Sequence, residues 1–175
     1  VGLLNRLRFM FSEYAKICIY NVIVRPHLKY CGTLLLYAKE NERRRLQVLQ
    51  NRAMRSILNK DRMYSTKRML EELKWMNVRE EIKLNALTFV YKLDKGILPD
   101  YFKNYLVKGF NVHTYKTRNK NRLRMRRCMG AKTESGVLYK GIKLCYELPI
   151  GIIEVKKIGE FINRVKKYLY MERSS

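Results

Sequence analysis

Aspartate is scarce in this chain: three occur, Asp61, Asp94 and Asp100, scattered and each without a second carboxylate at a fixed short spacing. Polymerases and nucleases that work through two metals hold the cations about 4 Å apart on clustered carboxylates, and no such cluster can be drawn here. A Gly-rich phosphate loop and a nucleophile elbow are also missing. His27 and His113 stand alone, and Cys18, Cys31, Cys128 and Cys145 show neither C-x-x-C pairing nor histidines at metal spacing. The expectation is therefore no catalytic residue, no metal and no cofactor, with the thiols reduced and mostly buried in an intracellular protein of the nucleus or cytoplasm. No apolar run reaches the roughly 18 residues of a membrane span. The closest, "ICIYNVIV", is stopped by Arg25 and Pro26, and a membrane is not an expected partner. The chain opens on Val1 with no signal-peptide pattern behind it, and reads as cut from something longer or processed.

What the chain has in excess is positive charge. Lysine and arginine number 38 against 15 acidic residues, a formal net charge of +23. Such a charge repels itself unless it is solvated or matched by a polyanion, and the usual matches are nucleic acid and anionic membrane surfaces. Disorder is excluded because hydrophobic residues make up 47%, with only 9 glycines and 3 prolines. The length suits one domain or two small ones.

Apolar periodicity predicts a mainly α fold. Leu4, Leu7, Phe11, Tyr14, Ala15, Cys18, Ile19 and Val22 lie at helical spacing over residues 4–24, and Pro26 ends or kinks that helix. A short helix interrupted near Gly32 follows. In "RLQVLQNRAMRSILNK" (45–60), Leu46, Leu49, Ala53 and Ile57 line one side of a helix over 41–59. At about 100° per residue, Arg45, Arg52 and Arg55 collect on roughly the other side. Leu49, Ala53 and Ile57 are thus expected to be buried, and Arg52 and Arg55 exposed. "KDRMYS" is a loop, and Ser65 suits the N-cap of a helix through Trp75. Asn77 with Glu80 resembles a capping box ahead of a helix over 78–95, which buries Ile82, Ala86, Phe89, Val90 and Leu93 and closes at Gly96. Glu71, Glu72, Glu80 and Glu81 are expected to offset neighbours such as Lys74 and Lys83. Pro99 opens a shorter helix ending near Val107.

The character changes after about residue 108. No acid lies between Asp100 and Glu134, and "RLRMRR" (122–127) alternates like a strand. "GVLYKGIKLCYELP" is the expected partner strand, with a turn around "GAKTESG". The basic hairpin so formed would carry Arg118, Lys120, Arg122, Arg124, Arg126 and Arg127 as a track for a phosphate backbone. Last comes an amphipathic helix with Ile158, Phe161, Ile162, Val165, Tyr168 and Leu169 on one stripe. Lys156, Lys157, Lys166 and Lys167 surround that stripe.

Six segments in order carry a resemblance: "RPHLKYC" (25–31), "LQVLQNRAMRSIL" (46–58), "LKWMNVREEI" (73–82), "VYKLDKGILPDYF" (90–102), "HTYKTRNKNRLRMRR" (113–127) and "YKGIKLCYELP" (139–149). Together they closely resemble the thumb and post-thumb region of Jockey-like, non-LTR (LINE-type) retrotransposon reverse transcriptases. The resemblance implies part of an RNA-directed DNA polymerase whose catalytic aspartates lie outside this chain. Residues 1–111 would be a helical thumb-like region, and 112–175 a basic post-thumb region with the hairpin and C-terminal helix. It further implies RNA and DNA as partners, as template–primer duplex or RNA, and the upstream fingers and palm of the same polymerase. Arg45, Arg52 and Arg55 would then face nucleic acid or the palm. Three positions depart from the family: Leu35 stands where a Trp is common, and "WNxLP" is replaced by "CYELP", with Cys145 for Trp and Tyr146 for Asn. Loss of a large core aromatic costs about 3–5 kcal/mol unless neighbours refill the space, so this lineage either has repacked or is a decaying copy.

Two other readings stand beside this one. The chain can be a separate basic nucleic-acid-binding protein derived from such an element, which the reading frame upstream of Val1 would reveal. Or it is a helical interaction protein for acidic partners, its C-terminal helix laid on a membrane surface. On every reading the chain alone is expected to extend no primer.

Overall fold

A computed structural model describes residues 2–6, 9–30, 32–105, 107–108, 123–124 and 136–174. The described chain is mainly helical. It divides into two compact units, Val1–Ile82 and Lys83–Ser175. The boundary expected at 111/112 lies outside the described residues.

The first unit starts with α1 (Gly2–Arg6), α2 (Glu13–Ile19) and α3 (Arg25–Lys29). The single helix expected over 4–24 is therefore broken. Ser12 adopts extended backbone and accepts a hydrogen bond from the Ala15 N–H at 3.3 Å, so a new helix begins there. Tyr14 and Val22, expected on the apolar face, are exposed. A π-helical turn, Tyr20–Val24, joins α2 to α3 just ahead of Pro26, a residue with no N–H to offer the helical ladder.

The arginine-bearing helix of the first unit is α4 (Glu40–Leu58). It buries Gln50, Ala53, Met54, Ser56 and Ile57. Ala53 and Ile57 behave as expected, but Leu49 is 45% exposed, and that assignment is corrected. The buried strip is turned by two glutamines whose polar groups are satisfied by backbone. Gln50 Nε2 donates to the Met76 carbonyl at 2.9 Å, and Gln47 Oε1 accepts from the Val78 N–H at 2.9 Å. Against this face pack Tyr20 and Trp75, stacked at 4.2 Å, together with Ile17 and Val24. Met54 meets Met69 and Leu70 of α5 (Thr66–Glu72). Ser65 sits at the N-cap position of α5 without a capping bond. That helix stops short of Trp75 because Lys74 takes a left-handed conformation (φ 52) and the Trp75 N–H returns to the Leu70 carbonyl at 2.9 Å.

α6 (Val78–Asp94) opens on the expected capping box. The Asn77 N–H donates to Glu80 Oε2 at 3.0 Å, and the Glu80 N–H donates to Asn77 Oδ1 at 2.8 Å. Ile82, Ala86, Val90 and Leu93 are buried, whereas Phe89 is half-buried and meets Phe102 edge-on. Gly96 closes the helix with φ 67.

In the second unit, Asp100–Tyr105 forms 3-10 turns after Pro99. The hairpin drawn from the sequence is corrected. Residues Val137–Glu147, expected as its second strand, form α7. Gly141, Ile142, Cys145 and Leu148 are buried there, at the spacing of one helix face and not of alternate strand residues. Extended pairing among the described residues is limited to β1 (Val107–Lys108) against β2 (Leu123–Arg124), antiparallel, with Val107 opposite Arg124. Two short connections, α8 (Ile150–Ile153) and the turn after it, lead to α9 (Ile158–Ser174). α9 buries Phe161, Val165 and Leu169 as its stripe requires. Phe161 stacks on Tyr91 at 4.2 Å, and the Tyr91 hydroxyl donates to the Val155 carbonyl at 2.8 Å. α7 lies close enough to α6 that a Cβ on Gly141 would fall 2.7 Å from Val90 Cγ2. Leu35 is half-buried and Cys145 is buried.

Two outcomes follow from this packing. Ile57→Ala should destabilise the protein by about 2–5 kcal/mol and Leu49→Ala by no more than about 1 kcal/mol in urea unfolding; equal losses would contradict the observed face of α4. Burial, reinforced by Asp94, pushes the Cys145 thiol from the usual 9.0 up to about 12. The raised value favours the protonated folded state, so its contribution is whole below pH 9 and is lost as pH rises toward 12. Native Cys145 should therefore resist iodoacetamide at mildly alkaline pH and be labelled in guanidinium, with mass mapping as the readout; rapid native labelling would contradict its burial.

Candidate nucleic-acid interface

Glu40, Glu42, Glu72, Glu80 and Glu81 of the first unit are engaged by groups of the same unit. Glu40 serves three cations: Arg79 at 2.7 Å, Arg43 at 3.6 Å and Arg44 at 4.0 Å. Glu42 accepts from the Lys39 N–H at 2.9 Å, capping α4. Glu81 pairs with Arg25 at 3.0 Å, Glu80 is held in the capping box, and Glu72 accepts from the Tyr64 hydroxyl. In the second unit Lys83 pairs with Glu172 at 3.0 Å, and Arg164 with Glu160 at 2.6 Å. Lys83, expected beside the acids at 80 and 81, thus pairs with Glu172.

All of the acid in α4 lies in its first turn. Beyond Glu42 the helix carries arginines alone, and of the three singled out, Arg45 and Arg52 are exposed. Arg55 departs from expectation: it is half-buried, and its Nε is buried without a hydrogen-bond partner. None of the three pairs with a described carboxylate.

The structure brings Arg52 and Arg55 together, without Arg45, in a half-open cavity of about 420 Å³. Its lining comprises Gly2 and Asn5 of α1, Leu49, Arg52, Arg55 and Ser56 of α4, and Lys60 and Arg62 beyond it. Four of these eight residues are cationic and none is acidic. Ser56 is 2% exposed, and its hydroxyl has no partner. Lys60 also lies over the Tyr64 ring, 4.7 Å from its centroid. Asp61, the acid nearest in sequence, is exposed and outside the lining.

Sequence reasoning missed Lys60, Arg62, Ser56 and Asn5. The available signal was Asn59, which takes the left-handed conformation (φ 51) at the end of α4 and turns the chain back on itself. That reversal returns Lys60 and Arg62 beside the last turns of the helix. A cavity so lined can hold an anion, and none of its described lining residues carries a carboxylate or imidazole to act as a base.

Of the basic residues placed on the hairpin, Arg118, Lys120, Arg122, Arg126 and Arg127 lie outside the described residues. Arg124 is placed by its backbone alone, opposite Val107. Among the described residues, no group of three His, Cys, Asp or Glu side chains could hold a metal ion, and no helix is long and apolar enough to cross a membrane. No family model, curated protein or solved structure matches this chain.

Proposed function

We propose that this chain binds nucleic acid as the thumb and post-thumb segment of a Jockey-like non-LTR retrotransposon reverse transcriptase. In that reading an RNA-directed DNA polymerase keeps its catalytic aspartates outside the chain, and the basic surface grips template–primer. The observation that carries the nucleic-acid part is the gathering of Arg52, Arg55, Lys60 and Arg62 around one cavity with no acid among the described residues of its lining. Phosphate contacts ask for this chemistry, since they need guanidinium, ammonium and hydroxyl donors without strict spacing. The polymerase part rests on the six ordered segments.

Two further features support the reading. Met10, Tyr14, Val22 and Tyr30 are each at least 74% exposed within a short N-terminal stretch. Exposed apolar surface of this kind marks contact with another body, and the fingers and palm would supply one. The membrane alternative is disfavoured because the apolar stripe of α9, which would have to face lipid, buries Phe161, Val165 and Leu169 within the second unit.

Fluorescence anisotropy with a labelled RNA–DNA hybrid across a salt series tests the proposal. Engagement of about four phosphates gives a log–log slope of about −3.5. Changing Arg122, Arg124 and Arg126 together to Gln should flatten the slope by about 2–3 and weaken binding to all sequences alike. Absence of binding at low salt, or an affinity that ignores salt, would overturn the nucleic-acid reading.

A further inference from the structure

We propose that the cavity beside the last turns of α4 is a discrete phosphate site, seating one phosphate-bearing unit of a nucleic-acid strand against Arg55, Ser56 and Lys60. This deepens the nucleic-acid reading and rests on it: a diffuse basic surface attracts a backbone, whereas a built site fixes its register.

Three observations separate a built site from a solvated charge cluster. First, the buried Arg55 Nε and the buried Ser56 hydroxyl both lack partners. Buried polar groups are nearly always paired, and an unpaired one disfavours the fold unless a ligand or water completes it. Both residues line the same cavity. Second, the volume of about 420 Å³ exceeds what one ion needs and falls among small-ligand sites of about 300–1,000 Å³. A phosphate with its attached sugar suits such a space, with Leu49 as an apolar wall and the Asn5 amide on the rim.

The third observation concerns charge. The C-terminal end of a helix carries roughly half a negative charge, which by itself attracts cations and repels anions. Four cations against roughly half a charge leave about 3.5 positive, so the helix end does not explain the cluster. Its carbonyls are also partly engaged. The Arg55 carbonyl accepts from the Lys60 N–H at 3.1 Å, and the Ser56 carbonyl accepts from Lys16 Nζ at 3.2 Å. The residues that line the cavity carry guanidinium, ammonium and hydroxyl donors, chemistry suited to a phosphate dianion or diester.

The test uses the full chain with two probes, inorganic pyrophosphate and an RNA–DNA hybrid, and two variants. Arg55→Met/Lys60→Met removes two cavity charges while keeping the side-chain stems. Lys156→Met/Lys157→Met removes the same charge at exposed positions elsewhere. Arg62→Gln, at an exposed cavity residue, serves as a third variant should the first unfold. At constant ionic strength, pyrophosphate should raise the melting temperature of the parent and of the Lys156/Lys157 variant. The rise should be lost in the cavity variants. Hybrid affinity should fall about tenfold in the cavity double variant, well beyond the fall in the Lys156/Lys157 variant. Equal losses in the two double variants, or no pyrophosphate effect on the parent, would overturn the cavity site while the nucleic-acid reading stands. A pyrophosphate effect confined to the cavity in a parent that binds no hybrid would overturn the strand as the source of the phosphate, and with it the nucleic-acid reading.

Discussion

Fifteen carboxylates must serve 38 lysines and arginines, and where those few acids stand decides what the rest of the surface can do. In the first unit three of them converge on the start of α6. Glu40 reaches Arg79, Glu80 closes the capping box on Asn77, and Glu81 holds Arg25. They fix the joint between α4, the turn at Pro26 and α6, so they are committed to folding. α4 is 19 residues long, and at about 1.5 Å per residue Glu42 in its first turn lies roughly 20 Å along the axis from Arg55 in its last. That is more than twice the Debye length of about 8 Å at physiological salt. The acids that stabilise one end of the helix therefore leave Arg52, Arg55 and Lys60 at the other end unneutralised.

The rotation of α4 about its axis is set by polar contacts as much as by its apolar stripe. Gln47 and Gln50 bind the backbone at Val78 and Met76, and this pulls Gln50 inward and leaves Leu49 beside the cavity. The same rotation carries Arg55 partly inward, where its Nε loses water without gaining a partner. A helix that packed on Leu46, Leu49, Ala53 and Ile57 alone would have left its arginines in solvent. The donor-rich cavity is thus a by-product of how two glutamines satisfy the loop before α6.

Much of this fold was legible in residue patterns because the deciding interactions are local. The capping pair Asn77 and Glu80, the closing Gly96 and the stripe Phe161, Val165 and Leu169 each act within a few residues along the chain. What was not legible depends on partners distant in sequence. Nothing near Leu49 announces that Gln50 finds the Met76 carbonyl, 26 residues away. The segment "GVLYKGIKLCYELP" satisfies strand alternation and helix spacing together, and contact with α6 at Gly141 goes with the helix. Apolar spacing over 4–24 does not reveal that Ser12 caps a new helix and breaks the stretch in two. Of the candidate interface, Arg52 and Arg55 were found by facial spacing, whereas Lys60 and Arg62 reach the site through the reversal at Asn59.

The central claim is that the carboxylates at the starts of α4 and α6 are used in folding, and that the cations at the far end of α4 are left for a polyanion. Melting temperature as a function of sodium chloride, without any ligand, tests it most directly. Repulsion among unmatched cations is screened by salt and ion pairs are weakened by it, so the sign of the response reports which dominates. The account predicts a melting temperature that rises as salt is added from low ionic strength. A melting temperature that falls over the same range would mean that the cations are already matched within the fold, and would contradict it.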